Sequence, residues 1–444
     1  MSVAYNLKKR NIPNLVITKE KQYMKSNSII APANMRLFEN PADGIKFYLN
    51  ECNGNFETIS SIYSNQSILT ETLAELQINV RHTPIGIIPE ENTKFGGQLI
   101  VNKLSEHVDR ILTDTLLIDF KINTKHIECL FYHCERKFFT INCNIIVFAT
   151  GGYASIFEHN DNIDSATGES TYILYKNTQK LKGASTIMFH PFGILNGKKI
   201  LTGEIVSRIE NIYYKDSNGD VKLLAMDSEV LDAIKQNKYH SNEMFQKILS
   251  TFHGKDIYMK LRDDFDFTIF EKEHISKNII ENGLIHLQPT AHYTSGGILV
   301  DKSFRVQDRI FANGEIVFDG DKGIGRIPGH AFTSAIVGGR IIANEIAKTE
   351  FEVVQDTTSF EIEKKISPND EQNCERTKEK YDNIRKKVEA AFGSNNSDME
   401  LENEIKQALE DVYHDLRSVK ELMIFYRMSL LYEILKDLNN KKRK

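Results

Sequence analysis

The chain has 444 residues, of which 41% are hydrophobic and 26% charged, so it is long enough for about two or three domains with their own cores. Its net charge of −5 provides no basic field for nucleic acid, and without a run of about 20 apolar residues no membrane span is expected. The five cysteines form no CxxC pair, which predicts free thiols in a reducing cytoplasm rather than a disulfide framework or a metal site.

The first predicted elements form half of a βαβ unit. Residues 3–10 have the pattern of a helix, and the apolar residues 15–18 that follow Pro13 have the pattern of a strand. The strand that should precede this helix is missing from the sequence. The chain is therefore expected to begin inside an α/β domain.

Two further strands are predicted to end at glycine. Residues 144–149 lead into Thr150-Gly151-Gly152, and residues 309–315 contain the Asn-Gly-Glu sequence at their end. Apolar residues at helical spacing follow in 331–348. Strands that alternate with helices in this way predict a mixed α/β sheet.

The segment between about residues 197 and 291 is more charged and is expected to be an inserted domain. It contains a predicted strand at 209–214 and predicted helices at 228–235 and 242–252. Beyond residue 366 the sequence becomes polar and helical. There the apolar residues from Leu416 to Leu435 predict one amphipathic helix.

Several short motifs carry the chemistry. In chain order they are Ser26-Asn27-Ser28, Ala149-Thr150-Gly151-Gly152, Phe189-His190-Pro191, His292-Tyr293-Thr294-Ser295-Gly296-Gly297, Asn313-Gly314-Glu315 and Gly320-Asp321-Lys322-Gly323-Ile324-Gly325-Arg326. Glycine at a strand end lets the backbone approach a phosphate or a flavin ring. The order of these motifs resembles the flavoprotein family that contains L-aspartate oxidase, succinate dehydrogenase and fumarate reductase. The resemblance covers the chain to about residue 348.

The resemblance implies an α/β fold with a Rossmann-like FAD-binding domain that is split by an α+β capping domain. Residues 1–197 and 292–350 are expected to form the FAD-binding domain, with its first strand and glycine loop missing. Residues 198–291 are expected to form the capping domain, and 351–444 a short C-terminal helical region.

The resemblance also implies which residues bind FAD. They are Ser26, Asn27, Ser28, Thr150, Gly151, Gly152, Glu315, Ala331 and Phe332. Glu315 is expected to hold flavin ribityl or ribose hydroxyls. Ala331-Phe332 falls where the family has Ser-Leu, so one side-chain hydrogen bond to the flavin ring is expected to be lost. Asn27 stands where respiratory members attach flavin through a histidine, which implies non-covalent FAD.

A dicarboxylate substrate needs fixed cations, and the arginine guanidinium matches a carboxylate with two parallel hydrogen bonds. Arg326 is the first candidate, and His190 and His292 follow. The resemblance places Glu204 near the substrate amino group. A lone histidine is more often structural, Arg326 between glycines also fits a loop salt bridge, and Arg208 with Glu210 fits a surface ion pair as well as a site segment.

Asn27 and the short chain favour the L-aspartate oxidase type. That activity converts L-aspartate to iminoaspartate, the first step of the quinolinate branch of NAD biosynthesis. Oxygen or fumarate is expected to reoxidise the flavin, and quinolinate synthase is a candidate partner.

Four departures from the family pattern leave other functions open. The glycine loop that should precede Ser2 is missing, and Ala31-Pro32-Ala33-Asn34 replaces Ala-Gln-Gly-Gly. Ser241-Asn242-Glu243 lacks the arginine of the capping domain, and Lys322 replaces a histidine. The alternatives are a soluble fumarate reductase or succinate dehydrogenase type of flavoprotein and a non-catalytic, diverged chain.

Overall fold

The computed structural model describes most of the chain. The described residues are 1–22, 25–90, 96–135, 137–195, 198–239, 241–272, 275–323, 325–350, 366, 374–394 and 396–443.

The helices among the described residues are α1 Ser2–Lys8, α2 Asn27–Ile30, α3 Pro41–Cys52, α4 Phe56–Ser64, α5 Ser67–Glu75, α6 Gly96–Ser105, α7 Glu169–Thr178, α8 Gly203–Val206, α9 Ser228–Lys235, α10 Asn242–Phe252, α11 Thr268–Lys272, α12 His330–Ile346, α13 Cys374–Phe392, α14 Met399–Asp415 and α15 Val419–Lys442.

The strands are β1 Val16–Ile17, β2 Met35–Arg36, β3 Val80–Thr83, β4 Gly86–Pro89, β5 Ile111–Leu112, β6 Thr115–Ile122, β7 Ile127–His133, β8 Lys137–Cys143, β9 Ile146–Phe148, β10 Leu181–Lys182, β11 Ile187–Ile194, β12 Ile209–Lys215, β13 Val221–Leu223, β14 Asp256–Leu261, β15 Ile280–Glu281, β16 Leu284–Thr294, β17 Gly297–Ile298, β18 Arg305–Gln307 and β19 Ile310–Ala312.

Two parallel strand pairs confirm the predicted α/β fold. Strand β1 pairs with β5, and β9 pairs with β19, which the antiparallel strand β18 joins on its other side. Strands β9 and β19 are shorter than predicted: only three residues of 144–149 and three of 309–315 are in strand conformation. The chain turns soon after each strand at Gly151, with φ 76°, and at Gly314, with φ 77°, a conformation that glycine adopts without steric cost.

The first helix packs closely on α12. Ser2 Oγ donates a hydrogen bond to the carbonyl of Ile336 at 3.1 Å. A Cβ atom at Gly339 would lie 2.2 Å from Ser2 Oγ, so only glycine allows this approach of the two helices. The helix predicted at 3–10 is confirmed, but it begins one residue earlier and ends two residues earlier, at Lys8.

A three-stranded antiparallel sheet of β6, β7 and β8 occupies 115–143 and was not predicted. Its middle strand β7 is buried at most positions on both faces. A strand with two covered faces has no alternation of apolar and polar residues, so its sequence carries little of the usual strand signal.

A second hydrophobic core cluster lies within residues 192–287. Its sheet has the strand order β11, β16, β14, β12, β13, with β15 paired to β16. Helices α9 and α10 have the predicted bounds. Each begins after a side-chain cap, Asp227 or Ser241, that accepts a hydrogen bond from a backbone N–H of the first turn. The domain boundaries at 198 and 291 stay a prediction.

The C-terminal helix α15 begins at Val419, so the predicted start near Leu416 was wrong. Ser418 and Glu421 form a capping box, in which each side chain accepts a hydrogen bond from the backbone N–H of the other. The helix is also buried on more than one side, because α7, α13 and α14 all pack against it. None of the helices in the described ranges is long and apolar enough to cross a bilayer.

Candidate active site

The end of strand β16 carries His292 between two buried neighbours. Its Nδ1 lies 2.7 Å from Oδ2 of Asp161, and 30% of the His292 side chain is exposed compared with 12% of Asp161. Successive side chains of a strand point to opposite faces, so Tyr293 enters the core while His292 stays accessible. A carboxylate that accepts from one ring nitrogen fixes the orientation of the imidazole.

His190 lies beside His292 on the neighbouring strand. Strands β11 and β16 are antiparallel, and the two imidazole centroids are 6.2 Å apart. His190 Nδ1 accepts from the backbone N–H of Phe192 at 3.3 Å, which leaves the ring proton on Nε2. The ring of Phe245, from α10, packs against His190 at a centroid distance of 5.5 Å. The structure therefore brings together the two histidines that the sequence singled out.

Arg326 stacks on the signature strand. Its guanidinium carbon is 3.8 Å from the ring centroid of Tyr293, which is a close cation–π contact. Its Nε is buried and has no hydrogen-bond partner. It makes no ion pair with any acidic side chain of the described residues, so no described contact supports the alternative of a loop salt bridge.

A buried polar network lies behind Tyr293. The Tyr293 hydroxyl donates to Asp319 Oδ2 at 2.7 Å, and Asp319 Oδ1 is 3.4 Å from His330 Nε2. His330 Nδ1 in turn is 2.9 Å from the hydroxyl of Tyr63. Burial, followed by the charge of Asp319, raises the pKa of Tyr293 well above its usual value, so its hydroxyl stays protonated as the donor. The sequence analysis missed this network, because no motif joins residues so far apart in the chain.

Glu315 sits where the two glycine-ended strands meet. One oxygen, Oε1, accepts from the backbone N–H of Thr294 at 3.0 Å and from its hydroxyl at 3.2 Å. A Cβ atom at Gly152 would lie 2.3 Å from the same oxygen, so the glycine makes room for the carboxylate. Burial raises the pKa of Glu315, while the positive charges of Arg326 and His292 act in the opposite direction. Both predicted substrate cations therefore lie within electrostatic reach of Glu315.

Asn27 is bonded to the segment that holds His292. Its Oδ1 accepts from the backbone N–H of Ile163 at 2.9 Å, and its Nδ2 donates to the side chain of Asn162. Asn162 then donates to the backbone carbonyl of His292 at 3.0 Å. Ser26 is the N-cap residue of α2 without a side-chain cap bond, and Ser28 is exposed.

A glycine pair that the sequence analysis missed completes this side of the site. A Cβ atom at Gly97 would lie 1.9 Å from the carbonyl oxygen of Ser28 and 2.8 Å from the ring of Phe332. Gly97 thus brings α6, α2 and the start of α12 together, and Ala331 lies beside Phe332 on that helix. The signal was the pair Gly96-Gly97 shortly after a short apolar run, β4.

The turn after β9 leaves open backbone next to Glu315. Thr150 is exposed after the buried Phe148, and nothing lies within 4 Å of a Cβ atom built on Gly151. A ligand's hydroxyl groups could donate to the carboxylate, and a turn without side chains would let the edge of a ligand ring approach the backbone. No glycine-rich loop for the pyrophosphate occurs in the described part of the chain, where α1 begins directly after Met1.

Two predicted residues lie apart from this cluster. Glu204 is exposed on the short helix α8, and no contact within the described ranges joins it to His190, His292 or Arg326. Arg208 is also exposed, and Glu210 pairs with Lys260 at 2.6 Å. Glu210 therefore forms a surface ion pair, as the alternative predicted, but its partner is Lys260 and not Arg208. No group of three or more metal-ligating side chains occurs among the described residues.

The chain is similar in sequence to known proteins of two kinds. The L-aspartate oxidase of Pyrococcus abyssi is 25% identical over 214 residues, which cover 46% of this chain and 43% of that protein. The fumarate reductase flavoprotein subunit of Haemophilus influenzae is 25% identical over 243 residues, which cover 49% of this chain and 40% of that protein. The chain is therefore similar in sequence both to L-aspartate oxidases and to fumarate reductase flavoprotein subunits.

The matches cover less than half the length of these curated relatives. No family model matches the chain. Solved structures extend the likeness of fold: a point mutant of the Escherichia coli quinol fumarate reductase superposes with a TM-score of 0.71 at 15% identity, covering 100% of this chain and 86% of that one. Mycobacterium smegmatis Sdh1 with UQ1 gives 0.71 at 15% identity, covering 100% and 84%. The chain therefore shares the fold of these flavoproteins.

Proposed function

We propose that the chain is an FAD-dependent oxidoreductase that converts L-aspartate to iminoaspartate. One observation carries the proposal: the guanidinium of Arg326, whose buried Nε has no hydrogen-bond partner, stacks on Tyr293, the residue next to His292. A buried N–H group of a cation that lacks a hydrogen-bond partner is costly, and an anion bound at the guanidinium would remove that cost. A dicarboxylate substrate supplies that anion.

The residues at the strand ends fit FAD. Gly151 and Gly152 would let it approach the backbone, Glu315 would accept from its hydroxyls, and Phe332 with Ser28 would line its other flank. When bound, FAD supplies the acceptor for the hydride that leaves the substrate carbon. Attachment is non-covalent at Asn27, because both polar atoms of its amide are already engaged with Asn162 and Ile163.

Three side chains would bind and orient the substrate. Arg326 forms two parallel hydrogen bonds to one carboxylate. His190 offers its Nε2 proton to a substrate oxygen, because its Nδ1 is occupied by the N–H of Phe192. His292, held by Asp161 through Nδ1, directs Nε2 to the substrate, where that atom receives or returns a proton.

The amino acid substrate is favoured over a plain dicarboxylate by Asn27 and by the L-aspartate oxidase relatives. Glu204, exposed on α8, would meet the amino group only after a shift of that helix. The second candidate is a fumarate reductase type of activity, because relatives with that name match at the same 25% identity. The same proposal includes domain boundaries at residues 198, 291 and 350 and a cytoplasmic location. It also includes a role in NAD biosynthesis and a contact with quinolinate synthase.

The proposal is tested with the purified protein incubated with FAD. We expect stoichiometric, non-covalent flavin and release of hydrogen peroxide, or reduction of fumarate, when L-aspartate is added. Flavin that is reduced by succinate and not by L-aspartate would favour the second candidate. Failure to bind flavin or to turn over either substrate would favour the non-catalytic alternative.

A further inference from the structure

We infer that Glu389, on the C-terminal helix α13, is a positioning residue for His292. It would act through the segment of residues 158–163, which lies between α13 and strand β16. The inference rests on the proposed function only in taking His292 as a substrate-binding group.

The carboxylate of Glu389 accepts from the start of this segment at more than one point. Oε2 accepts from the backbone N–H of Glu158 at 2.6 Å, and Oε1 accepts from the backbone N–H of His159 at 3.3 Å. Oε1 also lies 2.8 Å from Nδ1 of His159. Only 15% of the Glu389 side chain is exposed, and three contacts to two successive residues give its carboxylate a defined geometry.

The segment passes this constraint to strand β16. The carbonyl of His159 accepts from the N–H of Ala291 at 2.8 Å, and the N–H of Asp161 donates to the carbonyl of Ala291 at 3.3 Å. Asp161 then holds the imidazole of His292 at 2.7 Å. Glu389 is therefore connected to His292 through backbone: its carboxylate bonds the N–H of His159, and residues 159 and 161 pair with Ala291. The side chain of Asp161 completes the connection to the imidazole.

The far end of the segment is fixed independently. Asn27 bonds to Asn162 and to the N–H of Ile163. Only Asn160 and Asp161 lie between the two anchors, so loss of either anchor loosens the carboxylate of Asp161, although its backbone pairing with Ala291 remains. A displacement of about 1 Å in a group that orients a reacting side chain is enough to lower turnover by about a hundredfold.

A purely structural role for Glu389, in fastening α13 to the rest of the molecule, is the competing explanation. Glu404 provides a matched control, because its carboxylate bonds Lys387 of the same helix at 2.6 Å and has no described contact with residues 158–163. Replacing either glutamate by glutamine removes one charge from the same helical region. Only Glu389→Gln removes a constraint from the segment.

The experiment compares Glu389→Gln, Glu404→Gln and the parent protein. Histidine ring resonances are recorded without substrate, with His292 assigned by His292→Gln, and malonate binding and the thermal midpoint are measured in parallel. We expect Glu389→Gln to shift the His292 resonances and to weaken malonate binding about tenfold. Glu404→Gln should change neither the His292 resonances nor malonate binding, even if it lowers the thermal midpoint as much as Glu389→Gln does.

Unchanged His292 resonances in Glu389→Gln would overturn the inference, as would equal shifts in both glutamine variants. If Glu389→Gln fails to fold, His159→Asn removes one of the three contacts and tests the same coupling. A double-mutant cycle with Asp161→Asn should be non-additive, because both residues act on His292 along one route. If the parent protein binds no malonate, the proposed function fails while the resonances still decide the role of Glu389.

Discussion

Asp161 and His292 are 131 positions apart in the chain and 2.7 Å apart in the structure. The backbone pairing of Asp161 with Ala291, the residue before His292, sets this distance. A carboxylate at Nδ1 keeps the proton on that nitrogen and leaves Nε2 for the substrate. The geometry of the imidazole therefore depends on a residue outside every motif.

Asp161→Asn removes the charge that holds this tautomer, because an amide can also donate to Nδ1 and turn the ring. We expect turnover of L-aspartate to fall at least about a hundredfold with a smaller change in KM. Steady-state kinetics measure the two constants. Asp164→Asn is the control, since that exposed carboxylate pairs with Lys198. Equal losses in the two variants would refute the role of Asp161.

Arg326→Lys keeps the positive charge and loses the two parallel donors. We expect KM for the dicarboxylate to rise about tenfold to a hundredfold, since a charge-assisted hydrogen bond contributes about 1.5–3 kcal/mol. Arg340→Lys is the matched control, because that arginine pairs with Glu71 and Glu75 away from the histidines. A KM that stays at the parent value in Arg326→Lys would remove Arg326 from the substrate site.

Glu169 should make the protein sensitive to acid. Burial alone would raise its pKa, but Lys19, Arg427 and the Thr167 hydroxyl outweigh burial and lower the pKa from 4.5 to about 2. Because the folded value lies below the unfolded one, the stabilisation is present above pH 4.5 and is lost as the pH falls towards 2. The loss amounts to about 3 kcal/mol.

Urea unfolding at a series of pH values measures this effect. Glu169→Gln should be less stable by about 3 kcal/mol at pH 7 and should lose less stability than the parent below pH 4.5. Glu71→Gln, whose carboxylate is 54% exposed, should follow the parent curve. Parallel curves for Glu169→Gln and the parent protein would contradict the prediction.

Gly97→Ala tests the contact that joins α6, α2 and α12. The new Cβ atom would lie 1.9 Å from the carbonyl of Ser28, so backbone has to move and we expect a loss of about 3 kcal/mol. At Gly254, with φ 68° and nothing within 4 Å, alanine meets only backbone strain and should cost about 1 kcal/mol. Thermal unfolding compares the two. A smaller loss at position 97 than at 254 would be inconsistent with the packing described.

The sequence predicted the elements whose signals are local. Helices α9 and α10 were predicted to the residue, because a capping side chain precedes a strongly amphipathic run in each. The sheet at 115–143 was missed because its middle strand is covered on both faces. The helix at α15 was predicted with one apolar face, yet its burial depends on three helices that no local pattern describes.

The candidate site also contains residues that local sequence motifs predict and residues that they do not. His190, His292 and Arg326 stand in motifs, and the structure brings the two histidines side by side. Asp161 and Glu389 stand in no motif, and in sequence the glutamate is one more charge on a polar helix. Their importance arises from contacts over 131 and 230 positions, which only the folded chain reveals.

The ladder between β11 and β16 is interrupted between Met188 and Phe189 and again between His190 and Gly193. Each of these strands begins in one hydrophobic core and ends in the other. A rotation of one core against the other is therefore absorbed where the ladder is irregular, on either side of His190. The two imidazoles, whose centroids are 6.2 Å apart, therefore lie at the part of the ladder where the two cores meet.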